Sequence, residues 1–76
     1  MADRHPRREN LLRQLVEAER HVAESEEHVS TQEGLIAELD RDGHDTTEAK
    51  ALLETMRQTQ ALHRQDVVRI LKSLGQ

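Results

Sequence analysis

The chain has 76 residues with a formal net charge of -4, and it contains no Cys, Phe, Tyr or Trp. This length allows one domain at most, and it usually leaves a core too small for stability without a metal, a disulfide or a partner. The acidic balance argues against general nucleic-acid binding. No stretch approaches the roughly 20 apolar residues of a membrane span and no apolar signal region follows the start, so we expect a cytoplasmic protein.

The first predicted element is a helix from about residue 5 to about residue 42. Pro6 suits a first helical turn, and Asp3 or His5 could cap it. Along this helix a seam of mostly apolar residues recurs at alternating spacings of four and three, as the a and d positions of heptads do. The seam consists of Leu11, Leu15, Ala18, Val22, Ser25, Val29, Gln32, Ile36 and Leu39.

An alternative is that this helix breaks near its middle. Ser30 with Glu33 three residues later resembles a helix start, and Gly34 follows directly. Against the break, the heptads continue through residues 29–39 without interruption. Gly34 falls at the outward position f, where a missing side chain disturbs no packing. We therefore expect one continuous helix.

The turn occupies residues 43–45 and leads into a second helix from about residue 46 to about residue 74. Gly43 suits the left-handed conformation that closes a helix, and Asp45 with Glu48 makes an aspartate version of the capping box. The second helix carries its own a and d seam. It consists of Thr46, Ala49, Leu53, Met56, Gln60, His63, Val67, Ile70 and Leu74.

The position after each d, heptad position e, carries opposite charge on the two helices. It holds Glu19, Glu26, Glu33 and Asp40 on the first helix, and Lys50, Arg57, Arg64 and then Leu71 on the second. In an antiparallel pair these positions lie side by side and form one side of the hairpin, the e flank, while the g positions form the opposite g flank. The sequence therefore predicts an all-α fold, an antiparallel two-helix coiled-coil hairpin. Closing it at Gly43 sets Ile36 level with Ala49 and His21 level with His63.

Several large apolar residues remain outside the seam. Leu12 and Val16 on the first helix, with Val68 and Leu71 on the second, lie toward the e flank at the open end of the hairpin. Leu35 and Leu52 lie on the g flank near the turn. Because a lone hairpin leaves such residues wet, we expect a homodimer that forms a four-helix bundle. Either flank could be its interface.

The histidines are the residues that suggest chemistry. His21 and His63 come level, and Asp66 lies one turn from His63, so two imidazoles and a carboxylate could meet as in a facial metal site. The structural alternative is a half-exposed polar patch with a hydrogen bond between His and Asp, and a third possibility is pH sensing. No paired Glu-x-x-His repeat, catalytic triad or phosphate-binding glycine loop accompanies them. We expect no cofactor and no enzymatic activity.

The turn and its surroundings resemble those of small uncharacterised bacterial two-helix proteins. The resemblance is carried by the run from Ala18 to Val22, the stretch from Ile36 to Thr46 with its Arg-Asp-Gly-His-Asp-Thr turn, and Ala49 with Leu52 and Leu53. It covers roughly residues 15 to 65. It implies a bacterial cytoplasmic hairpin and, since no activity is known for the group, it implies no functional residue.

Three functions follow in order of preference. The first is a non-enzymatic coiled-coil interaction module that self-associates and serves as a small adaptor or regulator of a partner protein. The second is a metal- or pH-responsive helical protein using His21, His63 and Asp66. The third is weak nucleic-acid contact through the basic start, where Arg4, Arg7 and Arg8 could touch phosphates. The partner and the pathway are not encoded in any motif.

Overall fold

The computed structural model describes residues 6–75, which form two antiparallel helices and no strand. Helix α1 spans Pro6–Arg41 and helix α2 spans Thr47–Leu74. The molecule is a rod of 66 × 14 × 13 Å with a radius of gyration of 17.9 Å, against about 11 Å for a compact chain of this length. The predicted all-α helical hairpin is confirmed. The expected start at residue 5 and the candidate caps Asp3 and His5 lie outside the described residues.

Helix α1 runs without a break through the Ser30 to Gly34 stretch. A Cβ atom built on Gly34 would meet nothing within 4 Å, as expected for the outward position f. The seam on either side stays in contact with α2, which compensates for the roughly 1 kcal/mol that an interior glycine costs. The expectation of one continuous helix is confirmed. Within residues 6–75, neither helix has the length and apolarity that a bilayer crossing requires.

Every seam residue named above is buried or half-buried, on both helices. The buried core is nevertheless small, because among residues 6–75 it contains only three apolar residues, Ala18, Leu53 and Ile70. The buried polar residues Ser25 and Gln32 interrupt it. A core this thin leaves the hairpin with little apolar stabilisation, since burial contributes only about 25 cal/mol per Å².

Within residues 6–75, no fully buried side-chain nitrogen or oxygen lacks a hydrogen-bond partner. The Ser25 hydroxyl donates to the carbonyl oxygen of Val22 in its own helix at 2.7 Å. The Gln32 amide donates across the seam to the carbonyl oxygen of Ala49 at 2.9 Å. A carbonyl has two lone pairs, so this bond can form beside the one that the helix itself makes. The Gln32 bond opposes slippage of one helix past the other, because a shifted register would leave its amide without this partner.

The turn closes α1 with a Schellman motif. Gly43 has φ +78°, and its N–H donates to the Asp40 carbonyl while the His44 N–H donates to the Leu39 carbonyl at 2.9 Å. These two bonds satisfy carbonyls that the end of the helix leaves without intrahelical donors. The expectation that Gly43 ends the helix is confirmed.

The start of α2 differs from the predicted capping box. The Thr46 carbonyl accepts the first helical bond, from Lys50, so Thr46 and not Asp45 is the N-cap, and the third helical residue is Ala49 and not Glu48. A capping box needs an acidic side chain at that third position. Asp45 instead accepts hydrogen bonds from the N–H of Thr47 at 3.0 Å and from its hydroxyl at 2.7 Å.

Candidate functional site

The e flank has the charge pattern that the sequence predicts. Arg57 donates to Glu33 at 2.8 Å, and Arg64 contacts Glu26 at 3.5 Å, each pair joining α2 to α1. All four side chains are about half exposed. Exposed pairs of this kind contribute little energy, about 0.2 to 1 kcal/mol each. Their value lies in pairing α1 with α2, because the acidic column of one helix faces the basic column of the other, whereas two copies of α1 side by side would bring like charges together.

A groove lies beside these ion pairs, toward the open end of the hairpin. Its volume is about 440 Å³, and it is lined by Glu19, Val22, Ala23, Glu26, Arg64, Val67 and Val68. Val68 is 50% exposed there, and the neighbouring e-flank residues Leu12, Val16 and Leu71 are 44%, 64% and 50% exposed. Large apolar side chains that stay this exposed around a groove mark a surface suited to a protein partner. The structure thus leaves all four of the preferred interface residues available.

The g flank has a second, weaker apolar surface. Leu35 and Leu52 are 44% and 49% exposed near the turn. Sequence reasoning missed Leu62, which is 63% exposed at the neighbouring heptad position c. Extending the heptad assignment outward to position c would have revealed it from the sequence alone.

The two histidines predicted to come level are in contact. The ring centroids of His21 and His63 are 5.1 Å apart with an interplanar angle of 44°, and both residues are half-buried. They line a cavity of about 110 Å³ on the g flank. Its other lining residues are Glu24, Ser25, His28, Met56 and Thr59. Protonation of both imidazoles would place two positive charges about 5 Å apart. Their electrostatic repulsion would cost about 1 to 3 kcal/mol, depending on local screening.

Asp66 does not join the two histidines in one site. Its carboxylate oxygen Oδ1 accepts hydrogen bonds from Arg69 Nη2 at 2.6 Å and Arg69 Nε at 3.1 Å. The predicted hydrogen bond between Asp66 and His63 is absent from the described residues. The Asp66 carboxylate is hydrogen-bonded instead to the guanidinium of Arg69, one turn farther along α2. Asp66 shares a separate cavity of about 270 Å³ with His21 and Arg13. Within residues 6–75, no three His, Asp or Glu side chains are arranged to hold a metal ion.

The ion pair between Asp66 and Arg69 was not predicted from the sequence, although the spacing of the two residues indicates it. An Asp followed by an Arg three residues later on a helix is a spacing at which side chains meet. Glu17 and Arg20 form an ion pair at the same spacing on α1, and its hydrogen bond raises the pKa of Arg20. Acidic residues that pair in this way within their own helix belong to its solvent-exposed surface.

The remaining candidates lie at the ends of the hairpin. At the turn, the hydroxyl and then the N–H of Thr47 hold the pKa of Asp45 below its usual range, which fits a carboxylate that helps to begin α2. Arg7 and Arg8 are exposed in the first turns of α1, and Arg4 lies outside the described residues. Weak phosphate contact by these arginines stays a hypothesis.

Comparison of the chain with protein families, with curated proteins and with solved structures finds no match.

Proposed function

We propose that this chain is a non-enzymatic coiled-coil interaction module that self-associates as a homodimer, with two hairpins forming a four-helix bundle. The observation that carries the proposal is the imbalance between buried and exposed apolar residues. In the part of the chain that the structure describes, three apolar residues are buried. The large apolar residues Leu12, Val16, Leu35, Leu52, Leu62, Val68 and Leu71 are 44% to 64% exposed.

The accessible surface of the hairpin supports the same proposal. It is 5873 Å², whereas a compact monomer of this size has about 4,800 Å². The surplus is therefore about 1,100 Å² per chain, and a second hairpin covering one flank would remove part of it from water. As an assembled bundle, the module would act as a small adaptor or regulator of a partner protein. We also propose the bacterial cytoplasmic setting that the expected resemblance of the turn implies.

Sedimentation equilibrium at tens of micromolar tests the proposal, with twice the chain mass as the expected result. Replacing Leu12 and Leu71 by Gln should return the chain to its monomer mass, because the polar pair removes apolar contact from the preferred interface. A matched variant with Gln at Leu35 and Leu52 should remain a dimer. A monomer at all concentrations in the unmodified chain would refute self-association.

The contact between His21 and His63 favours a second candidate, a pH- or metal-responsive helical protein. Charging both imidazoles would place like charges in contact and so separate the rings or loosen the seam. The acidic side chains that line the adjoining cavities are Glu17, Glu24 and Asp66, and Glu17 and Asp66 already pair with arginines of their own helices. A drop in melting temperature between pH 7 and pH 5 that His63→Ala abolishes and His44→Ala does not would support proton sensing. A rise of several degrees with stoichiometric Zn²⁺, again lost in His63→Ala, would support metal binding. Neither effect in the unmodified chain would refute this candidate.

A further inference from the structure

The two flanks of the hairpin differ in what a second copy would meet. A dimer with two-fold symmetry uses the same surface on both copies, so that surface must be complementary to itself. On the g flank, counting positions g and c, both helices are net negative. Helix α1 has one cation, Arg7, against three carboxylates, and α2 has Arg69 against two carboxylates. Two g flanks would therefore repel each other.

The e flank has the opposite property. Counting positions e and b, α1 carries five carboxylates and no cation, whereas α2 carries three cations, Lys50, Arg57 and Arg64, against one carboxylate, Glu54. A second copy can thus place its basic helix over the acidic helix of the first. The apolar residues around the groove lie on this same flank. Charge and apolar exposure therefore select the same surface.

We propose that the homodimer forms through the e flank about a two-fold axis parallel to the long axis of the hairpin, with both turns at the same end. This inference rests on the proposed self-association and adds its surface and orientation. With that axis, α1 of each copy packs on α2 of the other. Every helix of the bundle then neighbours helices of opposite direction and opposite charge.

A two-fold axis perpendicular to the rod is disfavoured on the same flank. It would pack α1 on α1, with its column of carboxylates facing an identical column. To bury the apolar residues at the open end of the hairpin, this axis would also have to pass through them. The half of each copy that contains the turn would then extend beyond the region where the two copies overlap. Like-charge opposition and incomplete overlap both count against it.

The apolar residues match in height when the axis is parallel. The register that sets Ile36 level with Ala49 also sets Leu15 level with Ile70. Leu12 and Val16 of one copy therefore come level with Leu71 and Val68 of the other. These four side chains from each copy would form one apolar layer across the groove. The small side chains at position b farther along, including Ala23 and Ala61, leave room for the charged e residues to reach the rim and stay solvated.

The available surface is large enough for such a dimer. One face of the rod, 66 Å long and 13 to 14 Å wide, has an area on the order of 900 Å², close to the roughly 800 Å² that each partner buries in a standard interface. The assembled bundle would point the two g flanks, each with its pair of histidines, outward in opposite directions. It would also present two turns together at one end.

Disulfide trapping tests the inference cleanly, because the chain has no native cysteine. Leu12→Cys and Leu71→Cys chains are prepared separately, mixed, allowed to exchange and oxidised with copper phenanthroline. The expected product is the mixed disulfide in excess of random pairing. Glu27→Cys, at outward position f, is the matched control that should not cross-link. Predominant pairing of Leu12→Cys with itself would overturn the orientation, and trapping between Leu35→Cys and Leu52→Cys chains instead would overturn the choice of flank.

A distance measurement keeps the test independent of the altered interface. A nitroxide on Arg41→Cys, exposed at position f beside the turn, should give a separation below about 40 Å in the dimer, since packed helices lie about 8 to 10 Å apart. A separation above about 50 Å would place the turns at opposite ends of the 66 Å rod and refute the parallel axis. Sedimentation separates this failure from failure of the proposed function, because a wrong orientation still gives twice the chain mass and absent self-association does not.

Discussion

Reversing the acidic e positions should destabilise the hairpin far more than equal charge changes elsewhere. Glu26→Lys with Glu33→Lys removes both observed pairs between the helices and opposes each lysine to an arginine. Loss of each exposed pair costs about 0.2 to 1 kcal/mol. Each new like-charge contact near 4 Å adds about 1 kcal/mol in water.

Because the side chains can move apart, we expect a net loss of about 1 to 3 kcal/mol in the free energy of unfolding. For a chain of this length, that lowers the melting temperature by about 5 to 20 °C. The assay is thermal unfolding followed by circular dichroism at low salt. Repeating it near 1 M salt, where screening acts over about 3 Å, should remove most of the difference.

The decisive comparison is rescue. Adding Arg57→Glu and Arg64→Glu to the double lysine variant restores opposite charges and should recover most of the lost melting temperature. Glu27→Lys with Glu38→Lys changes the net charge equally at outward positions and should cost little. If the four-residue swap stays as unstable as the double variant, the reasoning that these charge columns stabilise the antiparallel pair is wrong.

Three further substitutions test the packing and the turn. Ile70→Ala, at a residue 1% exposed, should cost about 2 to 5 kcal/mol and unfold much of the chain, whereas Leu62→Ala, 63% exposed, should change the melting temperature little. Gly43→Ala should destabilise by more than about 1 kcal/mol, measured by urea unfolding, because φ +78° strains any residue with a Cβ although nothing crowds the site. Asp45→Asn should lower the stability at pH 7 and should reduce the loss of stability in acid. Hydrogen bonds from Thr47 lower the pKa of Asp45 in the folded state. The stabilisation by the Asp45 carboxylate is therefore present above its unfolded-state pKa of about 3.9, and disappears as the pH falls through its folded-state pKa. Equal acid sensitivity of the two proteins would contradict that role.

The heptad spacing determined that the chain forms two long helices with one buried seam each, because an apolar stripe repeating at four and three residues is buried by packing on another helix. The glycine at position 43 fixed the turn for a similarly local reason, since few other residues tolerate the left-handed conformation. The opposite signs at position e were enough to place Glu33 beside Arg57. All of these features depend on residues within one helical turn or on a repeating pattern, and a sequence displays both directly.

The tertiary structure decided what depends on competition between neighbours in space. Asp66 is within one turn of both His63 and Arg69. Its carboxylate binds the Arg69 guanidinium, because that group donates two hydrogen bonds to one carboxylate oxygen. Gln32 could have pointed to solvent, yet its amide crosses to the Ala49 carbonyl, which requires the two backbones at their actual separation. The sequence likewise names exposed leucines on both flanks, but the groove beside Val68 exists only once the helices are packed, since its walls come from both of them.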